Sequence, residues 1–228
     1  MVKKSTKIVA VIMAFICFLN LKHTVLAEEI AQRIGGAYIS DETYVDSNDS
    51  IEFSRIKENE TTGVQTRAGM QMLSSSITRY EQEDPYYCVP ACMQTILAYN
   101  NGTTPPTQDL IAANLGFIPE FGVDFLRVKD YLNDNQTKRE YVMHTKSNQT
   151  AMIDRINADI TSYGVPSMIR IEVSDSSQWF YTTNGHALVC AGVNSNLSSV
   201  YLIDPLVNYT AYIKSTYDLY NVFTHLAW

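Results

Sequence analysis

The sequence contains no apolar run long enough to span a membrane. An uncharged apolar stretch, IVAVIMAFICFL, covers residues 8–19, whereas a transmembrane helix needs roughly 20 such residues. Lys3, Lys4 and Lys7 precede this stretch, and NLKHTVLA follows it and ends in the small or apolar residues that are typical of a signal-peptidase cleavage site. We therefore expect residues 1–27 to be a signal peptide and the mature protein to be secreted or held at the cell surface. An uncleaved N-terminal anchor is the alternative.

The sequence also has fewer basic than acidic residues, 17 against 24. The formal net charge is −7 at pH 7, and loss of residues 1–27 removes four lysines and no acids, which makes it −11. An acidic protein repels phosphate backbones, so a nucleic-acid partner is not expected. No glycine-rich phosphate loop or dinucleotide fingerprint occurs. We expect no cofactor and, after signal cleavage, no association with a membrane.

Residues 28–76 lack cysteine, tryptophan and any sustained apolar periodicity. They carry nine acidic against four basic residues, and stretches such as SDETYVDSNDS are typical of loops or disorder. We expect this segment to be either a pro-segment or a flexible linker, and the sequence does not separate the two. Residues 77–228 are long enough for one domain with a sizeable core.

Within residues 77–228 the apolar pattern changes from a helical period to a strand period. Four helices are predicted, in PACMQTILAYN, TQDLIAANLG, VDFLRVKDYLND and TAMIDRINADITSYG. Thr107 is a predicted N-cap, and Gly102, Gly116 and Gly164 are predicted helix ends. Strands are predicted in VPSMIRIEV, GHALVCAGVN, SVYLIDP and NYTAYIKS. Helices followed by strands predict an α+β domain with a largely antiparallel sheet.

Few cysteines are available for cross-linking. Cys17 leaves with the signal peptide, and the three that remain are an odd number, so at least one thiol stays free or pairs between chains. A disulfide between Cys88 and Cys92 would be strained within one helical turn, whereas a bridge from Cys92 to Cys190 stays open. A zinc site is a further alternative, because Cys88, Cys92, His186 and Cys190 together offer four zinc-type ligands. However, four residues of a strand span about 13 Å, so His186 and Cys190 could share one zinc ion only if that segment bends sharply.

Cys88 has the features of a nucleophile. Proline is tolerated only in the first turn of a helix, so Pro90 indicates a helix that begins within a residue or two of Cys88. The positive end of the helix dipole there favours the reactive thiolate. Cys92 lies one turn further along and is expected to be a buried packing residue.

A cysteine nucleophile needs a base that is distant in sequence and near in space. His186 opens an apolar strand where its side chain can face a cleft, whereas His144 and His225 are interpreted as surface or structural residues. Asp204 ends the next strand, so hairpin pairing would bring it beside His186 to orient the imidazole; a turn-initiating Asp-Pro pair is the alternative. Gln82 and the Cys88 N–H are candidate donors to an oxyanion.

The segments QEDPYYCVPAC, GHALV and DP together resemble papain-like cysteine peptidases related to the bacteriocin-processing, double-glycine leader peptidases. The resemblance covers residues 77–226. It implies a papain-like fold with Cys88 as nucleophile, His186 as base, Asp204 as orienting residue and Gln82 in the oxyanion hole. It further implies cleavage of a peptide or protein substrate through a thioester intermediate.

The sequence departs from the family pattern beside the nucleophile. Val89 stands where a glycine is usual, and Tyr87 stands where an acidic residue is often found. Two other functions use the same residues or the same fold: a transpeptidase or acyltransferase built on the same covalent step, and a non-catalytic module that binds peptides or surfaces.

Overall fold

The computed structural model describes residues 35–52, 69–73 and 77–228. The predicted signal peptide, residues 1–27, lies outside these ranges. Among the helices of the described ranges, none has the length and apolar character needed to cross a membrane.

The described part of the chain contains short helices and nine strands. The helices are α1 (Cys88–Asn101), α2 (Gln108–Asn114), α3 (Val128–Asn135), α4 (Gln149–Ala158) and α5 (Thr216–Val222). A 3-10 turn (Phe125–Arg127) precedes α3 and a π-helical turn (Asp159–Tyr163) follows α4. The strands are β1 (Ala37–Tyr38), β2 (Met70–Met72), β3 (Val123–Asp124), β4 (Met143–Thr145), β5 (Ser167–Val173), β6 (Thr183–Asn194), β7 (Ser199–Ile203), β8 (Ala211–Ser215) and β9 (Phe223–Ala227). Residues 47–52 are also helical.

The predicted helix ends agree with the structure. The Thr107 hydroxyl accepts a hydrogen bond from the Leu110 N–H at 3.3 Å and caps α2. Gly102 after α1 and Gly164 after the π-helical turn adopt left-handed conformations, with φ of 65° and 64°. Because these signals act over only three or four residues, the local sequence is sufficient to place them.

The main sheet is antiparallel and has the order β4-β9-β5-β6-β7-β8, with β2 also paired to β6. The prediction of an α+β domain with an antiparallel sheet is therefore confirmed. The sequence patterns missed β4, α5 and β9, and β9 lies between β4 and β5 within the sheet. Its partners are distant in the chain, which is why local periodicity did not reveal it.

Helix α1 is the central helix, and every residue of its first three turns is buried, from Cys88 to Leu97. It packs against β6 of the sheet and against α2 and α3. The Cys92 thiol donates a hydrogen bond to the Ala187 carbonyl oxygen at 3.3 Å, so the helix is tied directly to β6. This contact fixes the start of α1 relative to the strand that carries His186.

Two parts of the chain differ in detail from what their local sequence suggested. Residues 40–50 were expected to be irregular, but 47–50 are helical and pack on the domain. Of the two interpretations offered for His144, surface or structural, the structural one holds: it is a buried residue of β4 whose Nδ1 lies 3.0 Å from Asp49 Oδ2. Since Asp49 is 95 residues away, no local pattern indicated the contact.

Candidate active site

A tight turn at Asp84 starts the helix that carries Cys88. The Asp84 carboxylate accepts the Tyr86 N–H at 2.9 Å, and its carbonyl oxygen accepts the Tyr87 N–H at 3.0 Å. Tyr87 is the N-cap residue and makes no side-chain capping hydrogen bond. Cys88 is therefore the first residue of α1, beside the first N–H groups, which have no partner within a helix.

Tyr87 anchors this helix start to α2. Its hydroxyl donates to Asp109 Oδ1 at 3.0 Å, and its ring meets Phe117 edge-on at 5.1 Å between centroids. An acidic residue at this position would lack the ring contact. The departure from the family pattern at Tyr87 therefore has a packing role beside the nucleophile.

His186 and Asp204 form a hydrogen bond inside the protein. His186 Nε2 lies 3.0 Å from Asp204 Oδ1, and neither side chain has exposed surface. Strand β6 carries His186, and Asp204 directly follows β7, its antiparallel neighbour. The β6–β7 hairpin therefore brings these two residues together, as predicted.

The surroundings of His186 favour its charged form. Burial opposes the charged imidazolium, but the charge and hydrogen bond of Asp204, followed by the Cys88 thiol, outweigh it and raise the pKa of His186 to about 10. Because Nε2 is bonded to Asp204, Nδ1 is the nitrogen left for Cys88. Nδ1 is buried and has no hydrogen-bond partner among the described residues, and the hydrogen bond between nucleophile and base is often long in the absence of substrate.

Two tyrosines that sequence reasoning did not assign hold the other side of Asp204. The hydroxyls of Tyr181 and Tyr212 donate to Asp204 Oδ2 at 2.6 and 2.9 Å, and the Leu206 N–H donates to Oδ1 at 3.0 Å. Burial works against ionisation, yet the charge of His186 and these donors keep the pKa of Asp204 below its usual value. The only sequence signal for Tyr181 was its place in a cluster of aromatic residues, WFYTT, which commonly means half-buried surface, and Tyr212 had none.

Arg79 fixes the turn that contains Asp204. Its Nε donates to the Asp204 carbonyl oxygen at 2.6 Å, and its NH2 group donates to the carbonyl oxygens of Leu206 and Tyr209 at 2.5 and 3.3 Å. One guanidinium therefore holds three carbonyl groups of one turn, as a planar donor fork allows. Arg79 lies 125 residues from Asp204, so no local pattern indicated this contact.

Gln82 lies beside the same turn. Its backbone N–H donates to the Pro205 carbonyl oxygen at 3.0 Å. Its side-chain amide donates to the carbonyl oxygens of Asp84 and Pro85 at 2.9 and 3.0 Å. Both amide hydrogens are engaged in this conformation, so a role in the oxyanion hole, which stays a prediction, requires one of these bonds to be exchanged for a bond to substrate.

The three cysteines of the described chain are free and buried. The bridge from Cys92 to Cys190 that the sequence left open is therefore not formed. Burial, with smaller contributions from Cys88 and Asp204, raises the pKa of the Cys92 thiol well above its ordinary value. Burial likewise raises the pKa of Cys190 to about 12. Both remain protonated thiols, which suits packing and not nucleophilic attack.

Comparisons with known proteins agree with this arrangement. The model of the Peptidase_C39-like family matches residues 74–228. No curated protein matches the chain significantly. Among solved structures, xylellain, a cysteine protease from Xylella fastidiosa, is similar with a TM-score of 0.56 and 11% identity, over 86% of this chain and 96% of xylellain.

Two bacteriocin-type peptidases are also similar at lower TM-scores. The double-glycine motif protease of an AMS/PCAT transporter, solved with its leader peptide, has a TM-score of 0.47 and 15% identity over 68% of this chain and 90% of that one. The peptidase domain of Streptococcus ComA, a bifunctional ABC transporter, has a TM-score of 0.45 and 16% identity over 65% and 93%. The family match covers more than half of the chain, and this protein therefore belongs to the Peptidase_C39-like family, as a cysteine peptidase with a papain-like fold.

Proposed function

We propose that the protein is an exported thiol peptidase that hydrolyses peptide bonds with Cys88 as nucleophile, His186 as general base and acid, and Asp204 as the residue that orients His186. The observation that carries this proposal is the buried 3.0 Å hydrogen bond from His186 to Asp204, which leaves the other ring nitrogen for the Cys88 thiol. A nucleophile, a base and a group that orients the base are the three parts that covalent acyl transfer requires.

The chemistry follows from this arrangement. His186 holds the thiol proton on Nδ1 as an imidazolium, and the Cys88 thiolate adds to the carbonyl carbon of the peptide bond. The C–N bond breaks as the imidazolium gives its proton to the leaving amine, and a thioester remains. His186 then removes a proton from water and the hydroxide adds to the thioester carbonyl. The C–S bond breaks to release the acid, and the imidazolium is left beside the Cys88 thiolate, which restores the starting state.

The oxyanion formed in each half-reaction needs donors held in place. The backbone N–H of Cys88 is at the start of α1, where helix N–H groups lack intrahelical partners and the dipole favours negative charge. We assign it as the first donor. The Gln82 amide is the second, after it gives up one carbonyl of the Asp84–Pro85 turn.

The compartment and the substrate class belong to the same proposal. In residues 1–27 a basic start is followed by an apolar stretch and then by small or apolar residues. This order supports export and a secreted or cell-surface location. The substrate is a peptide or protein, as for the transporter-linked peptidase that was solved with its leader peptide.

The experiment is to incubate the protein, under reducing conditions, with a mixture of unfolded proteins and to identify new N-termini by mass spectrometry. New N-termini are expected with a form in which Cys88 is accessible and with the same form carrying Cys92→Ala, and not with that form carrying Cys88→Ala or His186→Ala. An added amine that appears on the new C-termini would show that the thioester is resolved by aminolysis, as in a transpeptidase. Equal cleavage by Cys88→Ala would disprove the assigned nucleophile, and no cleavage by any form with a free, accessible Cys88 would indicate a binding module.

A further inference from the structure

A segment of the chain's own N-terminal region lies across the candidate active site. In residues 35–38, the Gly36 N–H donates to the Gly185 carbonyl oxygen at 3.0 Å, and the Gly36 carbonyl oxygen accepts the Val123 N–H at 2.7 Å. Gly185 immediately precedes His186. The segment then continues as β1, which pairs in parallel with β3.

The fit of this segment depends on glycine. Gly36 has φ of +144°, and a Cβ atom built on it would lie 2.2 Å from the Tyr86 carbonyl oxygen. A Cβ on Gly122 would lie 2.1 Å from the Gly36 Cα, and one on Gly185 would lie 2.1 Å from the Ala37 carbonyl oxygen. Backbone therefore packs directly on backbone from three directions, which leaves no room for a side chain at Gly36.

The segment contacts the chain directly before each of the two reacting residues. Tyr86 is two residues before Cys88 and Gly185 is one residue before His186, so the chain at Gly36 passes between the two halves of the site. Ala37 is 1% exposed, and Cys88 and His186 have no exposed surface at all. A peptide substrate has no access to Cys88 while this segment is in place.

The segment is a blocking element and not a substrate positioned for attack. The Gly36 carbonyl oxygen accepts the Val123 N–H, and no hydrogen bond joins it to the Cys88 N–H in the described part of the chain. Attack by Cys88 would require that oxygen to face the donors at the start of α1. Arg170 Nε adds a further bond, of 2.5 Å, to the Ala37 carbonyl oxygen.

A second set of contacts holds the chain that follows. Asp49 sits in a site of cationic and aromatic groups: its carboxylate receives Arg155 Nε and NH2 at 2.7 Å each, Trp228 Nε1 at 2.7 Å and His144 Nδ1 at 3.0 Å. Burial opposes the charged carboxylate, but the hydrogen bonds and charges of His144 and Arg155 lower the pKa of Asp49 to about 2. Asp49 is therefore bound as an anion at neutral pH.

Two neighbouring acids extend this attachment. Asp46 Oδ2 accepts the Met143 N–H at 2.9 Å. The Glu52 carboxylate accepts a hydrogen bond from the Tyr163 hydroxyl and lies 3.8 Å from Arg139. The acids of an otherwise polar segment thus meet a basic and aromatic surface of the domain, and this complementarity fits docking better than a flexible linker does.

We propose that residues 35–52 are an inhibitory pro-segment, which docks through Asp46, Asp49 and Glu52 and closes the active site with Gly36. This inference rests on the proposed function, because it assigns a latent state to the same site. The intact chain is then latent, and substrate reaches Cys88 only after the segment leaves the cleft.

The test is the rate at which iodoacetamide alkylates Cys88 in the full-length chain, measured by mass spectrometry. Gly36→Leu collides with the Tyr86 carbonyl, and we expect it to increase the rate at Cys88 at least about tenfold, since it exposes the thiol. The matched control is Gly69→Leu. Gly69 has a similar positive φ, +139°, but nothing lies within 4 Å of its Cβ position, so the Gly69→Leu chain should be alkylated at Cys88 at the same rate as the native sequence.

Cys92 and Cys190 report folding within the same measurement. Both are buried, so they stay unlabelled in a folded variant and react in an unfolded one. If Gly36→Leu is unfolded by this criterion, Asp49→Asn serves as the second test of the inhibitory segment. It weakens the docking contacts and should accelerate labelling of Cys88, whereas Asp41→Asn, in a fully exposed carboxylate of the same segment, should not.

The outcomes separate this inference from the proposed function. Rapid labelling of Cys88 in Gly36→Leu without any peptide cleavage would support the inhibitory segment and overturn the peptidase proposal. A native chain that labels and cleaves as fast as folded Gly36→Leu would overturn the inhibitory segment and leave the peptidase proposal intact. Equal acceleration by Gly69→Leu would also overturn it, because the effect would not depend on the contact with Tyr86.

Discussion

Asp204 Oδ1 and His186 Nε2 are 3.0 Å apart in a pocket where neither side chain is exposed to solvent. An aspartate that accepts the proton on Nε2 fixes the imidazole tautomer, so Nδ1 is the nitrogen that exchanges a proton with Cys88. The chemistry proposed for this site therefore depends on a group that does not touch the substrate.

Replacing Asp204 tests this dependence. In Asp204→Asn the amide no longer supplies the negative charge that stabilises the imidazolium, and we expect turnover to fall on the order of 10³-fold or more. The measurement is steady-state peptide hydrolysis by a form with an open active site. Asp175→Asn alters a fully exposed carboxylate and should leave the rate unchanged. A loss of less than tenfold in Asp204→Asn would be inconsistent with the orienting role.

The two cysteines of α1 should respond differently to removal. Cys88→Ala should abolish turnover. Cys92→Ala should retain most of it and lose about 1–2 kcal/mol of unfolding free energy, because it removes a buried thiol and its hydrogen bond to the Ala187 carbonyl. Urea unfolding and hydrolysis assays on the same preparations check both effects. If Cys92→Ala loses as much activity as Cys88→Ala while it stays folded, Cys88 is not the sole nucleophile.

The pH dependence of stability should show the charge of His186. Its pKa is raised from 6.5 to about 10 on folding, so the folded state binds this proton more tightly than the unfolded chain. The resulting stabilisation is complete below pH 6.5 and is lost as the pH rises towards 10. Urea unfolding across this range should show a falling free energy of unfolding.

Variants identify the source of that slope. His186→Gln should reduce it, since the titrating group is gone. His225 cannot supply it, because burial lowers its pKa to about 4 and its effect on stability lies below pH 6.5. An undiminished slope in His186→Gln would assign the effect to other groups.

Tyr181 is expected to act as a positioning residue. Tyr181→Phe removes the 2.6 Å hydrogen bond to Asp204 Oδ2, and because bonds to charged groups are the stronger ones, we expect kcat to fall about tenfold with little change in KM. The pH profile of kcat should shift as well, which a purely structural role would not produce. Tyr217→Phe, in a side chain that is 64% exposed, is the control, and a change confined to KM would contradict the assignment.

The sequence was sufficient wherever a structure is decided by neighbouring residues. Thr107 and Gly102 mark helix ends because capping acts within one turn, and Pro90 places the start of α1 close to Cys88 for the same reason. The hairpin of β6 and β7 is also local, and it is why His186 and Asp204 could be paired from their spacing.

The sequence was insufficient where a side chain finds a partner far along the chain. Tyr181 and Arg79 reach Asp204 across 23 and 125 residues, and neither has a periodic or motif signal. The acidic stretch around Asp49 has the composition of a loop, yet it is ordered by Arg155, 106 residues later. Composition predicts the local structure of an isolated segment. These contacts depend instead on residues that are distant in the chain.

Because Arg79 holds the Asp204 turn from 125 residues away, the complete site forms only late in folding. Residues at the start of the domain and near its end must meet before the turn is held, and such long-range closure is slow compared with the formation of α1. A growing polypeptide that has not yet reached Asp204 has a nucleophile but no oriented base. Synthesis and folding therefore deliver a chemically inert chain until almost the entire domain has been made.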